Sequence, residues 1–196
     1  MKIAIINYNA GNIQSVKFAL ERLGAEYILT HDPETIQTAD KVIFPGQGEA
    51  SSAMRSLRER GLDILIPTLK QPFLGICVGM QLLCQHSEEN NTSCLGVIPL
   101  KVKKFTSPNL KVPQVGWNTL SLNPTIHSVL PNSLEGQYVY FVHSYYVETG
   151  EYTTATAEYG QPFSAGIKKD NFHAVQFHPE KSSQAGEQIL KKFLSL

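Results

Sequence analysis

The chain has 196 residues, of which 42% are hydrophobic and 17% charged, with Lys plus Arg equal to Asp plus Glu at 17 each. That balance excludes the electrostatic footprint of a nucleic-acid or anionic-membrane binder, and no run approaches the ~18 apolar residues of a membrane span. The cysteines Cys77, Cys84 and Cys94 are odd in number and lack C-x-x-C spacing, which argues against a disulfide framework or a metal site.

The opening run, Met1 to Asn7, has too short an apolar stretch for a signal peptide. A reduced, cytoplasmic protein is expected, with one domain over residues 1–196. The Lys2–Asn7 segment reads as a β-branched strand. Ile13, Val16, Leu20 and Leu23 recur at helical spacing, and Gly24 stops that helix. Ala25–Thr30 and Lys41–Phe44 read as strands, the second closed by Pro45-Gly46. A helix follows from about Glu49 to Arg60. Phe73–Ile76 is a fourth strand running into a helix from Val78 to about His86. Short buried strands alternating with helices predict a mostly parallel sheet with right-handed crossovers and helices on both faces.

The second half changes character. Lys101, Lys103 and Lys104 suggest a solvated strand edge. Val112–Leu122, Gln137–His143, Thr153–Glu158, Phe163–Lys168 and His173–Phe177 are strand-like, with Asp170-Asn171 as a hairpin turn. A closing helix carries Ile189, Leu190, Phe193 and Leu194 and is entered at Ser182-Ser183. The expected architecture is an α/β, flavodoxin-like sheet with an antiparallel extension.

Gly75-Ile76-Cys77-Val78-Gly79-Met80-Gln81 carries the chemistry. A strand ends, one reactive residue follows, and a helix begins, with glycines two residues to either side. This is the logic of a nucleophile elbow, whose tight turn projects the side chain. A sulfur at a helix N-terminus is favoured as thiolate, and the Val78 N–H would point at an oxyanion. The bland alternative is that Cys77 is a small core residue; Cys84 gets only that reading. A base and its orienter are offered by Phe177-His178-Pro179-Glu180. In extended chain, residues two apart point the same way, so His178 and Glu180 can lie side by side. His31, His86 and His127 carry no such pattern, and His173 reads as a strand residue. Pro45-Gly46-Gln47-Gly48 follows a strand and precedes a helix, and its N–H groups could serve an anion, an oxyanion or merely a turn. It lacks the Lys-Ser/Thr of a P-loop, and Asn7-Tyr8-Asn9-Ala10-Gly11-Asn12 is not a dinucleotide loop.

Taken together, the Cys77 elbow and the His-Pro-Glu run resemble the class I glutamine amidotransferase family from end to end. Asn7 to Ile13, Ser15-Val16, Pro45 to Gly48, Val115-Gly116-Trp117-Asn118, Phe141 to Tyr146 and Pro179 to Ser182 resemble its glutaminase subunits of histidine biosynthesis. The resemblance implies a nucleophile at Cys77, a general base and acid at His178 and an orienting carboxylate at Glu180. It implies that Gly46, Gly48, Gln81, Ser144 and Tyr145 surround glutamine, and that the Gly46–Gln47 peptide gives an oxyanion N–H. It implies no cofactor and no metal. It also implies a heterodimer with a separate cyclase of (β/α)8-barrel fold. Ammonia passes to that cyclase to make imidazole glycerol phosphate and an aminoimidazole ribonucleotide. Trp117 and Lys181 then lie at the subunit interface. Asn7, Gln47 and Pro113-Gln114-Val115 depart from the usual pattern of Asp, a small apolar residue and a Pro-His-Met-like run. A paralogue feeding another synthase, such as one that amidates surface sugars, and a non-catalytic flavodoxin-like binding module are the alternatives.

Overall fold

The computed structural model describes residues 1–8 and 13–196; the sequence motif around Asn9 to Asn12 therefore falls outside the described residues. In chain order the first half comprises β1 (Ile3–Ile6), α1 (Ile13–Arg22), β2 (Tyr27–Thr30), α2 (Pro33–Gln37), β3 (Lys41–Phe44), α3 (Ala50–Glu59), α4 (Leu62–Leu65), β4 (Phe73–Ile76) and α5 (Val78–Leu83). The second comprises β5 (His86–Ser87), β6 (Thr92–Ser93), β7 (Lys101–Lys104), β8 (Gln114–Thr119), β9 (Ser121–Leu122), β10 (Tyr138–His143), β11 (Tyr145–Val147), β12 (Thr153–Glu158), β13 (Pro162–Lys169), β14 (Phe172–Val175) and α6 (Ser183–Leu194).

Among the described residues, the main sheet runs β2-β1-β3-β4-β14-β13-β11-β7-β5-β6, with β12 and β9 branching from β13. The five strands from β2 to β14 are parallel to their neighbours, and β14 turns the sheet antiparallel at β13. All residues of β1, β3, β4 and β14 are buried, as strands covered on both faces must be. The strand order reverses at β1, so right-handed crossovers put α1 and α3 on opposite faces. Residues of α1 and α6 line a common cavity, which places these two helices together on one face. Among the described residues, no helix is long and apolar enough to cross a membrane.

Three sequence expectations need correction. Lys101–Lys104 is not a sheet edge: β7 pairs with β11 on one side and β5 on the other, and Lys103 Nζ sits 2.9 Å from Glu148 Oε2. The helix after Cys77 ends at Leu83, not near His86, because Cys84 is extended and His86–Ser87 pairs with Lys101–Val102. Val112–Leu122 is two strands: β8 pairs with β10 in a separate ribbon, whereas β9 pairs with β12 of the main sheet.

The parallel strands set the site. Val175 is opposite Ile76, and Phe44 is opposite Gly75. The residues leaving β3, β4 and β14 therefore emerge side by side at the carboxyl edge, the usual location of a site in such a sheet. Those residues are Pro45 to Gly48, Cys77, and Gln176 to His178.

Candidate active site

Cys77 occupies the turn between β4 and α5 with φ 55° and ψ −111°, a conformation rarely taken by a side-chain-bearing residue. Its N–H donates to the Val175 carbonyl at 2.8 Å, and its carbonyl accepts from Met80 and Gln81 N–H. The strained residue is thus held from both sides. The flanking glycines serve close approach, not positive φ. A Cβ at Gly79 would run into the Phe44 carbonyl, and one at Gly46 would lie 2.6 Å from the Gly79 nitrogen and from Tyr8 Oη. The β3 loop and the first turn of α5 are therefore packed backbone to backbone. Tyr8, buried at 2% exposure, donates from Oη to the Pro45 carbonyl at 2.9 Å and braces that loop. Burial, with Cys77 beside it, pushes the Tyr8 phenol well up, so it stays a donor.

His178 leaves β14 in extended conformation and is clamped by its backbone. Its N–H donates to the Tyr140 carbonyl at 2.9 Å, and its carbonyl accepts from Ser182 Oγ at 2.6 Å. Ser182 Oγ also accepts from the Tyr140 N–H at 3.0 Å. The Ser182 hydroxyl is spent on this loop and makes no side-chain cap on α6. Pro179–Lys181 is a 3₁₀ turn, so Glu180 comes back to the ring across a turn. The expected strand alternation is not what joins them. His178 Nδ1 lies 2.7 Å from Glu180 Oε1, and among the described residues Nε2 has no hydrogen-bond partner. Burial pulls the imidazole pKa down, but the Cys77 sulfur and the Glu180 carboxylate more than offset this and raise it to about 10.

Cys77 and His178 open on one cavity of about 370 Å³, within the ordinary range for a small-molecule pocket. Gln47 and Gly48 line it from the β3 loop, Val78 and Gln81 from α5, and Val142, His143, Ser144 and Tyr145 from the end of β10 onward. Gly46 stands behind this wall, packed on Tyr8 and α5. Trp117 and Lys181 do not reach the cavity. They meet at a second one, of about 410 Å³, which Glu180 also lines. His178 and Glu180 thus separate two hollows. On that side Val115, Trp117 and Tyr138 stand 60%, 52% and 61% exposed on the β8–β10 ribbon, where Trp117 is opposite Tyr140.

Four residues at the site, Glu89, Gln114, His143 and Gln176, have no role among the sequence expectations. Glu89 lines the cavity and accepts from the Ala50 N–H at 2.7 Å; burial raises its carboxyl above the usual range. Gln176 Nε2 is 3.8 Å from Cys77 Sγ. His143 Nδ1 lies 2.7 Å from the Tyr145 carbonyl, and its Nε2 is 2.9 Å from the Gln114 side-chain amide. Burial lowers the His143 pKa to about 4, so its ring is neutral at pH 7. Nδ1–H then donates to Tyr145, and Nε2 must accept from the Gln114 amide NH2. Gln114 thereby holds His143 in the cavity wall.

A thiol, an imidazole and a carboxylate meeting at a pocket can perform covalent acyl transfer. Comparisons with known proteins agree in kind. The profile described as glutamine amidotransferase class-I matches residues 4–196. The imidazole glycerol phosphate synthase subunit HisH of Bacteroides fragilis (strain YCH46) is 53% identical over 198 residues, with all of both chains covered. The protein of the same name from Idiomarina loihiensis is 46% identical, with 100% of this chain and 98% of that one covered. A crystal structure of a glutamine amidotransferase superposes with a TM-score of 0.76 at 20% identity, over 98% of this chain and 97% of that one.

Proposed function

Because the chain belongs to the class I glutamine amidotransferase family, we propose that it is the glutaminase subunit of an imidazole glycerol phosphate synthase. It hydrolyses glutamine and delivers ammonia for histidine biosynthesis. The observation that carries this reading is the strained Cys77 facing the same cavity as a His178 bonded to Glu180.

Cys77 sulfur, its proton already held on His178 Nε2, attacks the side-chain carboxamide carbon. The tetrahedral oxyanion takes N–H groups from Val78, at the start of α5, and from the Gly46–Gln47 peptide. One such donor lowers the barrier by roughly 3–4 kcal/mol. His178 then protonates the departing nitrogen, and ammonia leaves a glutamyl thioester. Water, deprotonated by His178, attacks that thioester. Glutamate departs, and the proton returns to sulfur. Glu180 holds the ring tautomer and offsets the imidazolium charge throughout. Glutamine lies against Gly48, Gln81, Ser144 and Tyr145. Glu89, the carboxylate in the cavity wall, suits the substrate ammonium.

The ammonia is used by a separate cyclase of (β/α)8-barrel fold, which forms imidazole glycerol phosphate and an aminoimidazole ribonucleotide. The apolar ribbon around Trp117, with Lys181 beside it, forms the docking surface. The three unpaired thiols and this biosynthetic role support a cytoplasmic location. The test is Cys77→Ala in the two-subunit complex. Glutamine-driven synthesis is expected to vanish while synthesis from added ammonium salt persists; retained glutamine turnover would overturn the assignment.

A further inference from the structure

Gln176 takes no part in the steps above, yet it ends a directed chain of buried amides on the reacting sulfur. Gln176 is 0% exposed and Gln81 3%. The direction is fixed at the far end. The Tyr145 carbonyl can only accept, so the Gln81 group 2.9 Å from it is the NH2. The same nitrogen donates at 2.9 Å to Gln176, which must turn its oxygen that way. The Gln176 NH2 is left facing Cys77 Sγ at 3.8 Å. The strand register gives the same juxtaposition: Val175 is opposite Ile76, so the next residue on each strand is Gln176 and Cys77.

The neutral thiol has another outlet, the Val142 carbonyl 3.8 Å from Sγ, to which S–H can donate. Once His178 takes the proton, that bond is gone and the sulfur only accepts. A hydrogen bond to a charged acceptor is about twice as strong as a neutral one, so the Gln176 N–H favours the deprotonated sulfur over the thiol. We propose that Gln176 is the donor that stabilises the Cys77 thiolate, oriented by Gln81 and anchored on the Tyr145 carbonyl of the cavity wall. The proposal rests on Cys77 being the nucleophile. It gives Gln81 a second duty, since losing its NH2 would free the Gln176 amide to turn its oxygen toward sulfur.

The test is alkylation of Cys77 by iodoacetamide in the full chain, followed by mass spectrometry from neutral to alkaline pH. With Gln176→Met, similar in size but without a donor, the rate at neutral pH is expected to fall about five-fold and to recover as the pH rises. In the two-subunit complex kcat falls by a similar factor, with KM within about two-fold. A rate equal to wild type, or one lowered equally at every pH as a packing defect would give, overturns the proposal. If the variant does not fold, the wild-type side-chain amide resonances of Gln176 serve instead. They are expected to shift when Cys77 is alkylated, and unmoved resonances overturn the proposal. Labelling of wild-type Cys77 by a glutamine analogue bearing a diazoketone separates the two layers. No label removes the nucleophile assignment itself. A labelled wild type with an unaltered Gln176→Met profile removes only the role of Gln176.

Discussion

The His178 ring meets the Glu180 carboxylate across a single 3₁₀ turn, Nδ1 to Oε1 2.7 Å, with each side chain 3% exposed. Among the described residues Glu180 Oε2 has no hydrogen-bond partner, so the carboxylate's one bond there is to the imidazole. Glu180→Gln keeps the shape and removes the charge that offsets imidazolium. A fall in kcat of about 100-fold or more, with KM within a few-fold, is expected from steady-state glutaminase kinetics. Unchanged kcat would separate Glu180 from the reaction.

Glu89 contributes a carboxylate to the cavity and an acceptor to the Ala50 N–H. Glu89→Gln retains the acceptor and loses the charge. KM for glutamine is expected to rise about ten-fold, equivalent to about 1.4 kcal/mol, with the melting temperature little changed. A substrate analogue lacking the α-amino group should then lose its disadvantage against glutamine in the variant. If it does not, Glu89 does not face the ammonium.

The Gly79–Phe44 contact leaves no room for a methyl group. Gly79→Ala must push the α5 turn away from the β3 loop, at a cost of about 3 kcal/mol from overpacking. Urea denaturation checks the stability. Cys77 and the loop that faces it separate in the same variant, so glutaminase activity should fall further than the loss of folded protein explains.

Acid should destabilise the fold through two buried histidines. Burial lowers His143 to about 4, and burial, then Lys168 and Lys192, lower His173 to about 4. The unfolded chain takes up these protons near pH ~6.5, and the folded chain resists until about pH 4. The stability is therefore complete above about pH 6.5 and is lost as pH falls toward 4, by at most about 3 kcal/mol for each ring. His143→Asn keeps a donor for the Tyr145 carbonyl, and its denaturation midpoint should depend less steeply on pH over that interval. Equal slopes in variant and wild type would exclude His143 as a source.

The parts of this molecule that local pattern governs are legible in its sequence. Val42–Phe44 and Phe73–Ile76 are continuous apolar runs because parallel strands are covered on both faces, and the strands coincide with them except that β3 begins one residue earlier, at Lys41. Cys77 stands out because a strand and a helix abut with no room for a loop. What the pattern misses depends on distant chain. Lys101–Lys104 reads as an edge because three lysines suggest solvent, yet the strand they form has a partner strand on each side. Glu89 lies in the polar run Glu88 to Asn91, and only the fold brings it against Ala50. Gln176 is two residues before His178, so strand alternation could have pointed to it; its partner Gln81 is 95 residues away.

The proposed glutaminase activity depends on attack of the Cys77 sulfur on a glutamine carboxamide, with His178 as its proton carrier. The most direct measurement is mass spectrometry of the complex after exposure to a glutamine analogue with a diazoketone in place of the carboxamide. One adduct per chain is expected, on the peptide containing Cys77, lost when glutamine is in excess and strongly slowed in His178→Asn. An adduct confined to Cys84 or Cys94, or none on a complex that turns over glutamine, would contradict it.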